Sequence, residues 1–205
     1  MGLRISYNAP VVLTFALAAV VVQLLPQETM LTWFATQGHI DGTNTYVTLF
    51  SHILGHAGWD HLIANFMLIL LLGPILEERY GSGSLLVMIV ITALFSGLVD
   101  LALGDHTLGA SGIVFMMILL ASTANIRAGE IPLTFIAVAV IYLGGEIVKA
   151  FDNDNISQLG HVLGGVSGAA FGFLHARNKA PSASKPVKAV LPGAPTSSLA
   201  SRKKP

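Results

Sequence analysis

The sequence predicts an all-α polytopic membrane protein of six transmembrane helices with both termini in the cytoplasm. Three observations carry this: an apolar composition, six apolar stretches and a lopsided distribution of Lys and Arg. Of 205 residues, 53% are hydrophobic and only 11% charged, and mean hydropathy is +0.71. A soluble domain keeps roughly 25% charged residues because its surface faces water, so most of this surface faces something apolar. Cysteine is absent. That excludes disulfides, thiolate nucleophiles and thiolate metal sites, and leaves Ser, Thr, His, Asp and Glu for any chemistry.

The apolar stretches run over residues 9–25, 61–76, 85–103, 111–124, 132–147 and 157–176. Several approach the ~20 residues that a hydrocarbon slab of ~30 Å requires. The fourth, hemmed between Gly109 and Arg127, is short and is expected to begin below the membrane surface. No convincing small-x-small cleavage site follows the first, which is read as a retained helix and not as a signal peptide. With six spans, Arg4, Arg79, Arg127 and the seven Lys/Arg of the tail share one side, while the other has only Lys149. The positive-inside rule places the richer side in the cytoplasm. Glu28, Asp41, Asp60, Asp105, Asp152 and Asp154 fall opposite. The expected organisation is a short cytoplasmic N-terminus over 1–8, a membrane domain over 9–176, and a disordered basic tail over 177–205. That tail is rich in Pro, Ser, Ala and Lys and attracted to anionic lipid.

A polar group inside an apolar span costs free energy and needs a partner or a job. His61, Asn65, Ser111 and His161 stand out. Under this topology the second, fourth and sixth spans run from outside to inside, and these residues occupy the first turns of those three spans. They share one depth in the outer half of the membrane. Singly, a serine in a membrane helix bonds back to a carbonyl one turn earlier, and a lone His or Asn ties helices together. Together they suggest one site: a serine hydroxyl is a weak nucleophile until a base takes its proton, and imidazole suits that role near neutral pH.

Local sequence adds to this. Gly109-Ala110-Ser111-Gly112 puts the serine at a helix start among residues too small to block it, where backbone N–H groups face whatever approaches the hydroxyl. His161, Gly164, Gly168 and Gly172 lie on one helical stripe whose glycines permit close approach to a neighbouring helix. By itself such a stripe is a common packing face.

These residues resemble the rhomboid proteases. The run from His56 through Trp59, Asp60, His61 and Asn65, followed by Gly73-Pro74-Ile75-Leu76-Glu77, resembles the family's second-span signature. Gly109 to Gly112 resembles its GxSG motif, and Gly160-His161 with Gly164 and Gly168 its catalytic histidine helix. The similarity runs over 48–172. It implies a six-helix core with a Ser111/His161 dyad opening to the extracytoplasmic side, an oxyanion hole containing His61 and Asn65, and cleavage of other proteins' membrane-spanning segments near that side. It also implies a multi-pass protein of a plasma membrane, bacterial in type, with transmembrane proteins and lipid as partners. No cofactor, metal or nucleic acid is expected. Two departures are visible: Tyr46-Val47 replaces a Trp-Arg pair that many relatives carry, and Phe115 stands where some place a tyrosine under the histidine.

Two rivals remain. His39, His52, His56, His61, His106 and His161 all fall on the outer half, and His52 with His56 has metal-ligand spacing, as a zinc hydrolase or metal carrier would use. No His-Glu-x-x-His pattern exists, however, and solvated or interfacial positions account for His52 and His56. A non-catalytic, client-binding membrane protein of the same shape is the other rival. Glu77 and Arg79 are expected to bond to neighbouring loops, and Asp100 to be solvated or to cap a helix.

Overall fold

The computed structural model describes residues 6–40, 42–123, 131, 133–149 and 158–178. The tail from 179 on, Arg4, Asp41, Arg127, Asp152 and Asp154 lie outside them. Among the described residues all regular structure is helical. The helices are α1 (Pro10–Gln23), α2 (Gln27–Phe34), α3 (Thr43–Ser51), α4 (Trp59–Tyr80), α5 (Ser82–Leu103), α6 (Ser111–Ser122), α7 (Leu133–Lys149) and α8 (Gln158–Asn178), with a 3-10 turn at His52–Leu54. Six coincide with the six apolar stretches. By length and composition alone, α4 and α5 can each cross a bilayer; α1 and α6 are shorter apolar helices. The segment between α1 and α4 holds two further helices that hydropathy does not reveal, because their apolar residues are interspersed with Thr, Gln and Asn.

Helix boundaries follow from backbone chemistry. Pro10 opens α1 at a position where its missing N–H costs nothing. The next donors, Val11 and Val12 N–H, are capped from another helix: the Glu77 carboxylate accepts both at 3.0 Å, and Ser82 Oγ donates to it at 2.7 Å. An anion at a helix N-terminus also meets the favourable end of the dipole. Glu77 thus joins the C-terminal end of α4 to the start of α1 and is 4% exposed. Gly81 and Gly104, at φ +84° and +78°, close α4 and α5 where side-chain-bearing residues are strained.

The bundle is arranged around α6, which packs against α4, α5, α7 and α8. Its Ile113, Met116, Met117, Leu119 and Leu120 are fully buried, as expected of a helix apolar on every side. The apolar residues Met67, Leu70, Leu71 and Ile75 of α4 and Leu86, Val87, Val90 and Ile91 of α5 point outward. Where the surroundings are as apolar as the core, helix association depends on close backbone packing. The α6–α8 contact has this character. A Cβ on Gly164 would overlap the Gly112 carbonyl oxygen, and one on Gly168 that of Met116. Since the obstacle is backbone, which cannot swing aside, Gly164→Leu is expected to force the helices apart and cost about 1–3 kcal/mol or more. Thermal unfolding in detergent measures this; an unchanged midpoint would show that α8 does not seat on α6 through this glycine.

Candidate functional site

The first residue of α6 is Ser111, preceded by Ala110 in a non-helical conformation with no side chain capping the helix. The first N–H groups of a helix have no intrahelical partner, so this end offers donors to an incoming acceptor. Gly109 precedes it at φ +129°, a conformation that requires glycine. A Cβ there would also lie 2.7 Å from His61 Cε1 and 3.0 Å from its Nε2. Gly109 therefore rests directly on the His61 ring.

A cavity of about 560 Å³ opens beside Ser111 and is lined by Gly109, Gly112, His61, Asn65 and His161, with Ser96, Asp100, His52, His106 and Thr107 on its remaining walls. The four polar residues singled out from sequence share this cavity, although they come from α4, α6 and α8. Glu77 lies at the opposite end of α4. His161 stacks on Phe115, ring centroids 4.6 Å apart and planes 6° from parallel. Phe115 lies one turn beyond Ser111 on α6, so the stack places the imidazole over the face that carries the serine. Asn65 is 7% exposed, and its Nδ2 is buried without a hydrogen-bond partner. That donor has no acceptor in the protein and borders the cavity.

Three sequence expectations need correction. His52 and His56 are not solvated or interfacial: they are 3% and 0% exposed. His52 Nδ1 meets the Thr48 carbonyl at 2.9 Å and its Nε2 meets Ser96 Oγ at 3.1 Å. His56 Nδ1 meets the Leu54 carbonyl at 3.1 Å, and its Nε2 accepts the Ala110 N–H at 3.4 Å. A carbonyl only accepts, so both rings carry their proton on Nδ1. The Gly109 N–H donates to the His52 carbonyl at 3.0 Å. The two histidines thus seat the loop in front of Ser111, a role that spacing alone did not show. Asp100 is not solvated either, being 1% exposed. Among the described residues no three His, Asp or Glu side chains form a ligand set for a metal; His39 and His106 pair edge to face, 6.1 Å apart.

Burial pushes the pKa of both His52 and His56 down to about 4. In the unfolded chain each titrates near 6.5, so between these values the unfolded chain binds protons that the fold refuses. Their contribution to stability is complete above pH ~6.5 and is lost as pH falls toward ~4, at about 1.4 kcal/mol per pH unit for each ring. Unfolding midpoints from pH 7.5 to 4 should show this slope, and His52→Gln and His56→Gln should each flatten it. The same slope in the double variant would assign the effect to other groups.

A family model for the Rhomboid domain matches residues 43–178. The chain is 31% identical over 137 residues to Rhomboid-related protein 1 of Caenorhabditis elegans, covering 60% of this chain and 38% of that protein. To Rhomboid protease GlpG of Serratia proteamaculans it is 29% identical over 171 residues, 78% of this chain and 59% of the relative. To Rhomboid protease GlpG of Yersinia enterocolitica it is 31% identical over 137 residues, 63% of this chain and 48% of the relative. It thus spans between 38% and 59% of the length of these relatives. The family match takes in more than half of the chain, including α3 through α8 and every residue of the cavity. With its helical bundle and apolar exterior, this chain is a helical membrane protein that belongs to the rhomboid family.

Proposed function

We propose that this chain is an intramembrane serine endopeptidase that cleaves transmembrane segments of other membrane proteins near the extracytoplasmic side. The observation that carries the reading is the meeting of Ser111, at an uncapped helix start, with His161 on the walls of one cavity. In the reaction His161 takes the proton of Ser111 Oγ as the oxygen attacks the scissile carbonyl. The tetrahedral oxyanion is held by the Ser111 N–H with His61 and Asn65. His161 then returns the proton to the leaving amine, and water, activated by the same imidazole, hydrolyses the acyl-enzyme. Phe115 limits the ring's freedom by stacking on it.

The same reading gives six membrane spans with both termini cytoplasmic, from the Lys/Arg asymmetry, in a plasma membrane. A reporter fused after Pro205 should lie in the cytoplasm and one inserted near Gly42 outside. An external tail would move the site to the other half of the bilayer.

A second reading is favoured by one observation: the hydrogen bond between His52 Nε2 and Ser96 Oγ, on the same cavity. Ser96 lies inside α5, however, where the backbone donors are used within the helix, and the Thr92 and Ala93 carbonyls, each 3.0 Å from its oxygen, compete with His52 Nε2 for its single proton. An oxyanion there would find no N–H groups. The test is to incubate the protein in liposomes with a generic membrane-segment substrate, and separately with a fluorophosphonate that modifies activated serines. Cleavage with label on Ser111 is expected; label on Ser96, or cleavage that a chelator abolishes, would overturn the reading.

A further inference from the structure

The loop between α5 and α6 must hold its shape if Ser111 is to meet its partners, yet no regular structure spans it. Its ends are fixed. Gly104 closes α5 in the left-handed conformation, and the Asp105 N–H returns to the Asp100 carbonyl at 2.8 Å. At the other end Gly109 and Ala110 are held by His52 and His56. Between them stands Thr107, four residues before the serine and on the wall of the same cavity.

Thr107 is held from two sides. Its hydroxyl donates to the Asp100 carboxylate of α5, which is 1% exposed. On the other side lies Thr36, just beyond α2 and 2% exposed. The Thr36 N–H donates to the Thr107 carbonyl at 2.8 Å, and the Thr107 N–H donates to Thr36 Oγ1 at 2.7 Å. The two hydroxyl oxygens are 3.2 Å apart. The Thr107 hydroxyl gives its proton to Asp100, while the single proton of Thr36 Oγ1 faces that hydroxyl together with the Asp105 and Thr107 carbonyls, at 3.2 and 3.3 Å. A hydrogen bond to a buried acceptor is costly to break, because the group left behind cannot turn to water instead.

We propose that Thr107 is a positioning residue for Ser111, anchored by Asp100 and Thr36, and that this clasp sets the geometry of the serine loop in the resting protein. Nothing in the GxSG stretch or in the two histidine-bearing helices includes these three residues. The consequence for catalysis rests on the Ser111 reading; the clasp does not. Thr107→Val keeps the size of the side chain but cannot donate to Asp100, whereas Thr107→Ser keeps that bond.

The experiment compares backbone hydrogen exchange over 105–111, and kcat and KM on a membrane-segment substrate, for the full-length protein carrying Thr107→Val, Thr107→Ser, Asp100→Leu and the Val/Leu pair. Thr107→Val should raise exchange over 105–111 about tenfold and lower kcat about 10- to 100-fold with KM within about twofold, because a misplaced nucleophile acts on turnover. Thr107→Ser should restore both. The pair should be no worse than its worse member, as expected of residues acting through one another. If Asp100→Leu does not fold, Thr36→Val replaces it in the pair. Unchanged exchange in Thr107→Val removes the clasp. Raised exchange with full kcat, or losses that add in the pair, removes its positioning role. A fully active Ser111→Ala variant would sink the protease reading and leave the exchange result standing.

Discussion

Ser111→Ala and His161→Ala are each expected to abolish proteolysis, by about 10,000-fold or more, while leaving the protein folded. The size of the effect follows from how the pair works. Without the hydroxyl no acyl-enzyme forms; without the imidazole the hydroxyl keeps its proton at neutral pH. Two groups serving one proton transfer are lost together, so the double variant should be no worse than either single one. Folding should survive because both residues line a cavity and are only half-buried, so that truncation removes little packing. Ser96→Ala is the informative control. It removes a hydroxyl on the same cavity that touches a histidine, and it should retain turnover. Cleavage measured in liposomes, with thermal midpoints for each variant, decides the matter. Activity surviving Ser111→Ala but not Ser96→Ala would transfer the nucleophile to α5.

The second large effect concerns the oxyanion. Asn65→Ala and His61→Ala should lower turnover ~100- to 1,000-fold each and yet remain measurably active. Substrate affinity should move far less, because the charge they meet appears only in the transition state. Four residues apart on α4, the two side chains project from one face, one turn apart. Both lie near Gly109: a Cβ built there would be 3.0 Å from His61 Nε2 and 3.9 Å from Asn65 Nδ2. Turnover and binding measured separately for each variant test this. Wild-type turnover in both would leave oxyanion stabilisation to backbone donors and make these residues ties between helices.

Helix positions were legible because apolar runs report them directly, whereas the helix ends at Gly81 and Gly104, in conformations that other residues resist, are seen in the fold. The shared location of His61, Asn65, Ser111 and His161 was legible for a different reason, since a polar group in an apolar run is conspicuous. His52 and His56 escaped because they sit outside those runs, where histidine is unremarkable. Their importance comes from the carbonyls and N–H groups they meet, which no spacing encodes. Asp100 escaped similarly. A carboxylate near a helix end reads as solvated, and only the folding of Thr107 over it reveals a buried acceptor. The segment carrying α2 and α3 was opaque for want of periodicity, and Thr36 with it.

That Asn65 Nδ2 meets no protein acceptor has a consequence for heat resistance. Asn65 is 7% exposed and its amide donor meets no protein acceptor, so the resting fold gains little from it, whereas Asn65→Leu, of similar size, would bury apolar surface in its place. That variant should therefore melt at a higher temperature than the parent while turning over far more slowly. Selection for thermal robustness alone would tend to discard this asparagine, whereas selection for catalysis would keep it, so the protein's tolerance of heat is set in part by an amide held ready for a charge that exists only while a peptide bond is being broken.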